Sequence, residues 1–177
     1  MRDNPLNVAV YGEDPERRRR SLERVFRAMF RIIDTQRPIC GIYDNRLVGV
    51  AGITPSGSCQ PSAVQRLRFL PETIAIGPAA SQQIRRWLAE WRQVDPDRPH
   101  SHLGPLAVDP DHQGLGIGRQ LMSEYCRRLD CKVEVSYLET DKAENVSFYA
   151  RYGYQVIGEK EVIGAPNWFM LREPAMR

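Results

Sequence analysis

Three glycines, Gly114, Gly116 and Gly118, fall within residues 108–119, VDPDHQGLGIGR, directly ahead of a segment with helical apolar spacing. Glycine lets a backbone approach a ligand closely. The first turn of a helix carries N–H groups with no partner inside the helix. Together they make a concave site for an anion such as a pyrophosphate. Three phosphate-binding patterns use this physics, and spacing separates them. A P-loop needs Gly-Lys-Ser/Thr after four intervening residues, and no lysine is near, so it is excluded. The dinucleotide fingerprint needs Gly-x-Gly-x-x-Gly, whereas the glycines here run Gly-x-Gly-x-Gly. The remaining pattern, Gln/Arg-x-x-Gly-x-Gly/Ala, is met by Gln113, Gly116 and Gly118.

Other residues able to do chemistry cluster around this turn. Asn145 and Tyr149 are four apart and share one face of a short helix; Asn145 also suits a helix cap, and Tyr149 also suits packing. Glu139 ends a strand-like segment. His100 and His102 flank the start of another, and histidine is the side chain that titrates near neutrality. His112 lies in the turn itself and reads as solvent-exposed. Cys40, Cys59, Cys126 and Cys131 have no metal-finger spacing and read as free thiols in a reducing compartment.

Hydrophobic periodicity supplies the elements that must hold these residues. Residues 7–11 read as a first strand ending at Gly12. Asp14 caps a helix opened by Pro15 and Glu16, with Leu22, Val25, Phe26, Met29, Phe30 and Ile33 on its apolar face. Residues 40–43 and 47–53 flank Asp44-Asn45-Arg46 as a hairpin. From 54 to 80, Pro55, Gly57, Pro61, Pro71, Gly77 and Pro78 break the pattern, which leaves a long loop with a short helix around 63–70. Such a loop is either a lid or substrate wall, or a tolerated surface insertion. Ser81 then caps a helix bearing Ile84, Trp87, Leu88, Trp91 and Val94, its tryptophans reading as core. Residues 102–108 form a strand stopped by Asp109-Pro110-Asp111. Residues 116–129 form a helix with Ile117, Leu121, Met122, Tyr125 and Leu129 inward. A strand at 132–139, a helix at 144–152 and strands at 154–159 and 168–172 complete the chain. With no repeat and no second core, this is one α/β domain over 1–177 with a mixed sheet.

Composition removes several classes. The chain has 177 residues, 42% apolar and 27% charged, the balance of a globular domain large enough to bury a core without disulfides or metals. Its longest apolar stretch, 48–53, is far below the roughly 18 residues a membrane span needs. Met1-Arg2-Asp3-Asn4-Pro5 places an acid and a proline where a secretory peptide would be apolar, so a cytoplasmic location is expected. The net charge of +3 arises entirely in residues 1–37, with nine arginines and six acids; the rest holds sixteen of each sign. Much of it is the run Arg17-Arg18-Arg19-Arg20. Four consecutive helical residues point in different directions, so a solvated helix face is expected in preference to a nucleic-acid site.

The glycine turn has telling neighbours. LGPLAVDP at 103–110 precedes it, and YLET at 137–140 and NVSFYARYGY at 145–154 follow. In this order the stretches resemble the GNAT superfamily of N-acetyltransferases. Gln113, Gly116 and Gly118 match the first signature of that superfamily, and Asn145 and Tyr149 with Gly153-Tyr154 the second. Residues 100–174 are most similar to the puromycin N-acetyltransferase-like branch, while the N-terminal part fits only in its order of elements.

The resemblance implies a single GNAT-like domain: a mixed central sheet of six to seven strands flanked by helices, with a V-shaped cofactor cleft between two central parallel strands. Residues 1–99 would form the acceptor side and 100–174 the acetyl-CoA-binding and catalytic half. The backbones of Leu106, Ala107 and Val108 would pair with the pantetheine arm. The turn from Gly114 through Leu115, Gly116, Ile117 and Gly118 to Arg119 would hold the phosphates, with Gln113 shaping it and Asn145 touching the cofactor. Tyr149 would protonate the departing thiolate, for which a phenol near pKa 10 is a reasonable donor. An N–H near Val108 would polarise the carbonyl. Glu139 would take the amine proton directly or through water, or serve as a structural acceptor; members that use ordered water need no base.

No metal is expected. The implied activity is acetyl transfer from acetyl-CoA to a primary amine of a small molecule, with protein or peptide amines as the alternative acceptor. A non-catalytic acyl-CoA sensor is the alternative class, and the presence of both Asn145 and Tyr149 argues against it. A homodimer is expected if Trp168 and Phe169 form an exposed edge; they equally suit the core.

Overall fold

The computed structural model describes residues 2–33, 36–58 and 61–175, so Cys59 lies outside the described residues. Its first element corrects the sequence reading: the expected strand at 7–11 is helix α1 (Pro5–Tyr11). An apolar run this short suits either period, and two features decide it. Pro5 occupies the first turn, where its missing N–H costs nothing. Asp141 accepts the Leu6 N–H at 2.9 Å and the Asn4 side chain at 3.0 Å.

Helix α2 (Pro15–Ile32) begins where expected, with the Asp14 carboxylate accepting the N–H groups of Glu16 and Arg17. The arginine run is not uniformly solvated. Arg17, Arg19 and Arg20 are exposed, but Arg18 is buried, donating to Gly12 O and pairing with Asp3, each at 2.7 Å. It clasps the end of α1 to α2. The expected apolar face of α2 is only half covered, and Phe30 is exposed.

Strands β1 (Gln36–Tyr43) and β2 (Arg46–Thr54) form the expected hairpin, turning through positive φ at Asp44 and Asn45. The region expected as loop is largely helical: α3 (Ala63–Ile76), then α4 (Pro78–Arg92). Ser62 and Gln65 form a capping box for α3. The helix runs through Pro71, which forfeits one backbone bond, because its end is anchored by Ile76, buried against α1 and α4. Ser81 does not cap α4. Gly77 and Pro78 open that helix, and the Ser81 hydroxyl donates to Thr73 O.

The rest of the chain is β3 (Ser101–Val108), α5 (Ile117–Lys132), β4 (Ser136–Thr140), α6 (Ala143–Ala150), β5 (Gln155–Val162) and β6 (Ala165–Arg172). The strand expected from 132 starts at 136, since Lys132 completes α5 and Val133 closes it with a left-handed φ of 52°. The six strands lie in the order β1-β2-β3-β4-β6-β5; β3 and β4 are parallel and the other pairs antiparallel. Side chains alternate between the two faces. Leu103, Leu138 and Met170 pack with α5 and α6 residues Leu121, Met122, Tyr125 and Tyr149. Tyr137 and Phe169 point the other way, onto Leu6 of α1 and Trp87 and Trp91 of α4. Strand β6 is therefore interior: Phe169 is fully buried and Trp168 packs on the core, and the edge is β5. The dimer edge expected at Trp168 and Phe169 does not exist.

Two stability predictions arise from this core. Ser136 Oγ joins the hydroxyls of Tyr125, at 2.8 Å, and Tyr154, at 2.7 Å, all three residues being buried. Ser136→Ala leaves two buried hydroxyls without their shared partner and should cost about 1–3 kcal/mol, read as a lower urea midpoint at unchanged m. Burial also pushes the phenols of Tyr11 and Tyr149 up to about 12, and raises those of Tyr125 and Tyr154. Above pH 10 the unfolded chain sheds these protons while the folded chain keeps them. This stability is therefore complete below pH about 10 and is lost as pH rises through about 12, on the order of 2–3 kcal/mol each for Tyr11 and Tyr149. Denaturant midpoints measured from pH 8 to 12 should hold and then fall steeply above 10.

Candidate active site

The site starts where two strands part. Strands β3 and β4 pair at Ser101↔Ser136 and His102↔Tyr137, and the register ends there. Beyond this point β3 stays with β2 as far as Val108, and β4 stays with β6 as far as Thr140, so a wedge opens between them. The Asp109 N–H donates to Val48 O at 2.8 Å and so faces β2. By antiparallel alternation the polar groups of Ala107 also face β2, opposite Val50, while those of Val108 and Leu106 turn into the wedge. Of the three backbones expected at the cofactor, two project there and Ala107 is spent on the sheet. Gln113 Nε2 donates to Val108 O at 3.2 Å, which folds the turn back onto the strand and leaves the Val108 N–H directed into the opening.

The glycine turn lies at the same end. Gly114 and Gly116 have φ of 82° and 83°, the left-handed region that L side chains rarely adopt, and Gly116 is the N-cap of α5. The Gln120 N–H donates to Gly116 O, so the N–H groups of Ile117, Gly118 and Arg119 precede the helical ladder. A Cβ on Gly114 would meet nothing within 4 Å, whereas one on Gly116 would lie 3.4 Å from the Arg119 guanidinium, which covers the turn. Leu115 is exposed, so only its backbone belongs to the turn; Ile117 is buried and pins α5 to β1 and β2. A Cβ on Gly118 would lie 3.7 Å from the Val108 side chain and 4.0 Å from that of Phe148.

Asn145 Nδ2 donates to Thr140 Oγ1 at 3.0 Å, tying the first turn of α6 to the end of β4. Tyr149 is buried one turn later, edge-on to Phe148 at 5.3 Å and Tyr154 at 5.9 Å. Burial, and then the nearby Asp141 charge, pushes its phenol up to about 12, so it keeps its proton at neutral pH. Glu139 and His102 lie on the opposite face of the sheet, with Tyr137. Glu139 Oε2 is 2.7 Å from His102 Nε2, and the side chains are 4% and 19% exposed. The wedge is thus flanked by the glycine turn and Tyr149 on one face and by the carboxylate–imidazole pair on the other.

The other two histidines lie outside this pair. His100 is buried, with Nδ1 2.8 Å from Arg98 O and Nε2 3.2 Å from Asp95. His112, expected in solvent, is half-buried and edge-on to Tyr43 at 5.6 Å. Sequence reasoning missed the pairing of His102 with Glu139. The available signal was alternation: once His102 stands opposite Tyr137, Glu139 shares its face. Among the described residues no group of three or more His, Cys, Asp or Glu is placed to hold a metal, and no helix is long and apolar enough to cross a membrane.

Residues 79–156 match the model of the acetyltransferase (GNAT) domain. Over nearly its whole length the chain is similar to a Corynebacterium glutamicum protein described as histone acetyltransferase HPA2 and related acetyltransferase. The TM-score is 0.71 at 19% identity, covering 98% of this chain and 85% of the other. The chain has the fold of a GNAT acetyltransferase domain. The same fold is seen in a Drosophila melanogaster polyamine N-acetyltransferase that forms N-acetylagmatine, with a TM-score of 0.61, 14% identity and coverage of 97% and 88%. In sequence, the chain is 35% identical over 74 residues to a mycothiol acetyltransferase of Geodermatophilus obscurus, covering 37% of this chain and 24% of the relative. The match thus spans about a quarter of that relative's length.

Proposed function

We propose that this GNAT domain transfers an acetyl group from acetyl-CoA to a primary amine of a small molecule, by direct attack within a ternary complex. The observation that carries the reading is the wedge: β3 and β4 part after two residue pairs, beside a left-handed glycine turn that opens α5. The open space around Gly114 and the inward polar groups of Leu106 and Val108 fit an extended arm ending in a diphosphate. In this reading the N–H groups from Gly114 to Arg119 bind the phosphates, and the helix dipole adds about 0.3–1 kcal/mol. Leu106 and Val108 bond the pantetheine amides. The Val108 N–H then polarises the thioester carbonyl, Tyr149 serves the departing sulfur, and the Glu139 end of the wedge accepts the proton of the amine. Asn145 keeps α6, and with it Tyr149, docked on β4.

The small-amine acceptor is supported by the polyamine enzyme of the same fold and by the mycothiol acetyltransferase whose sequence matches. The puromycin-like branch rests on the wording of residues 100–174 alone. The test is coenzyme A release, followed by a thiol reagent, over a panel of polyamines, aminoglycosides, amino sugars and peptides with free N-termini or lysines. Release with small amines, with the N-acetyl product identified by mass, is the expected result. Acetylation of peptides alone would move the acceptor class to proteins, and acetyl-CoA binding without release on any amine would favour a sensor.

A further inference from the structure

Glu139 is the carboxylate that the motif brings to the acceptor side, yet its side chain is almost wholly buried. Its side chain is 4% exposed and its Oε2 lies 2.7 Å from His102 Nε2, whereas His102 is 19% exposed. We infer that His102 is the catalytic group that takes the amine proton, and that Glu139 is a positioning residue acting through it; this assignment rests on the acetyltransferase reading above.

Three observations carry it. The first is exposure: the imidazole is open to solvent to a greater degree than the carboxylate, 19% against 4%. The second is place. His102 is the last residue of β3 paired with β4, and Glu139 lies two residues further along β4, so the pair bridges the base of the wedge. The third is orientation. Tyr137, fully buried between the two histidines, holds its ring edge-on to His102 at 5.5 Å and to His100 at 5.4 Å, and His100 is itself fixed to Arg98 O and Asp95. The His102 ring thus has a rigid aromatic neighbour and a carboxylate on one nitrogen. Such an arrangement orients an imidazole and stabilises the imidazolium it becomes.

The proton balance closes. An alkylammonium gives one proton to His102 Nδ1, the ring nitrogen that does not face Glu139, and the neutral amine attacks the acetyl carbon. The C–N bond forms and the C–S bond breaks. Tyr149 gives its proton to the sulfur and regains one from solvent, and the nitrogen loses its second proton to solvent, which balances that one. The proton held on His102 leaves to solvent, giving one amide, one thiol and one released proton.

A purely structural pair would staple two parting strands and contribute only stability. The test separates the two roles. His102→Gln can still reach Glu139 with its side-chain amide but cannot take a proton, and should lower kcat about 100-fold. Acetyl-CoA affinity by calorimetry and the melting temperature should stay close to wild type. His102→Ala should be as slow and should be rescued in part, and saturably, by millimolar imidazole. Glu139→Gln should lower kcat about 10-fold with both KM values unchanged. The double variant His102→Gln/Glu139→Gln should be no slower than His102→Gln alone, because the carboxylate works only through the ring. An active wild type in which His102→Gln retains its kcat, or in which Glu139→Gln is the slower single variant, overturns this assignment and leaves the acetyltransferase reading standing. A wild type that acetylates no amine overturns both.

Discussion

Tyr149→Phe is expected to lower kcat about 100-fold while acetyl-CoA affinity and the melting temperature stay close to wild type. The substitution removes one oxygen from a ring already packed against Phe148 and Tyr154, so the fold has little to lose. The magnitude follows from the environment of the phenol. At a pKa of about 12, it is a weaker acid than the thiol it would serve in the proposed reaction, for which an ordinary thiol pKa is about 8.5. In the proposed reaction its contribution would therefore be a hydrogen bond that strengthens as charge develops on sulfur, with the proton following as the phenol recovers one from solvent. A better matched acid would make the loss larger. The same shift gives a pH signature: because burial keeps Tyr149 protonated, no alkaline limb due to this residue should appear in kcat below pH about 10. Stopped-flow or steady-state thiol release from pH 6 to 10 checks both statements. A Tyr149→Phe enzyme with wild-type kcat would remove the tyrosine from the chemistry.

The second large effect is expected at the glycine turn. Gly116 has φ of 83° and caps α5, so Gly116→Trp forces a side chain into the left-handed region, at a cost of about 1–2 kcal/mol, and places an indole against the Arg119 guanidinium. The turn is exposed around Gly114 and Leu115 and lies outside the main core, so the domain should remain folded with a modestly lower melting temperature. Its N–H groups would then be screened from a diphosphate, and acetyl-CoA affinity should fall about 100-fold or more, the equivalent of one to two good charge-assisted hydrogen bonds. Calorimetry on the variant checks this. Unchanged affinity in a folded variant would place the phosphates elsewhere.

Legibility in the sequence tracked the range of the interactions involved. The glycine turn, the amphipathic helix after it and the Asp44-Asn45 hairpin depend on neighbours a few residues away, and the sequence reading places all three close to where the structure has them. Elements decided by distant partners were read wrongly. Residues 7–11 fold as a helix because Asp141 caps the Leu6 N–H from 135 positions away. Helix α3 survives Pro71 because Ile76 is buried against α1 and α4. Arg18 is buried because Asp3 and Gly12 O receive its guanidinium. At the site, the residue types were visible but their division of labour was not. That Ala107 faces β2 follows from the antiparallel β2–β3 register, and that His102 stands beside Glu139 from the parallel β3–β4 register; local sequence encodes neither.

The most direct measurement is a calorimetric titration of the wild-type protein with acetyl-CoA. The wedge and glycine turn predict one site per chain with a Kd in the micromolar range, about 1–100 μM, matching the range in which enzymes commonly meet their substrates. Absence of binding by a protein shown to be folded, at concentrations up to about 1 mM, would contradict the assignment of this cleft to acetyl-CoA and the catalytic account built on it.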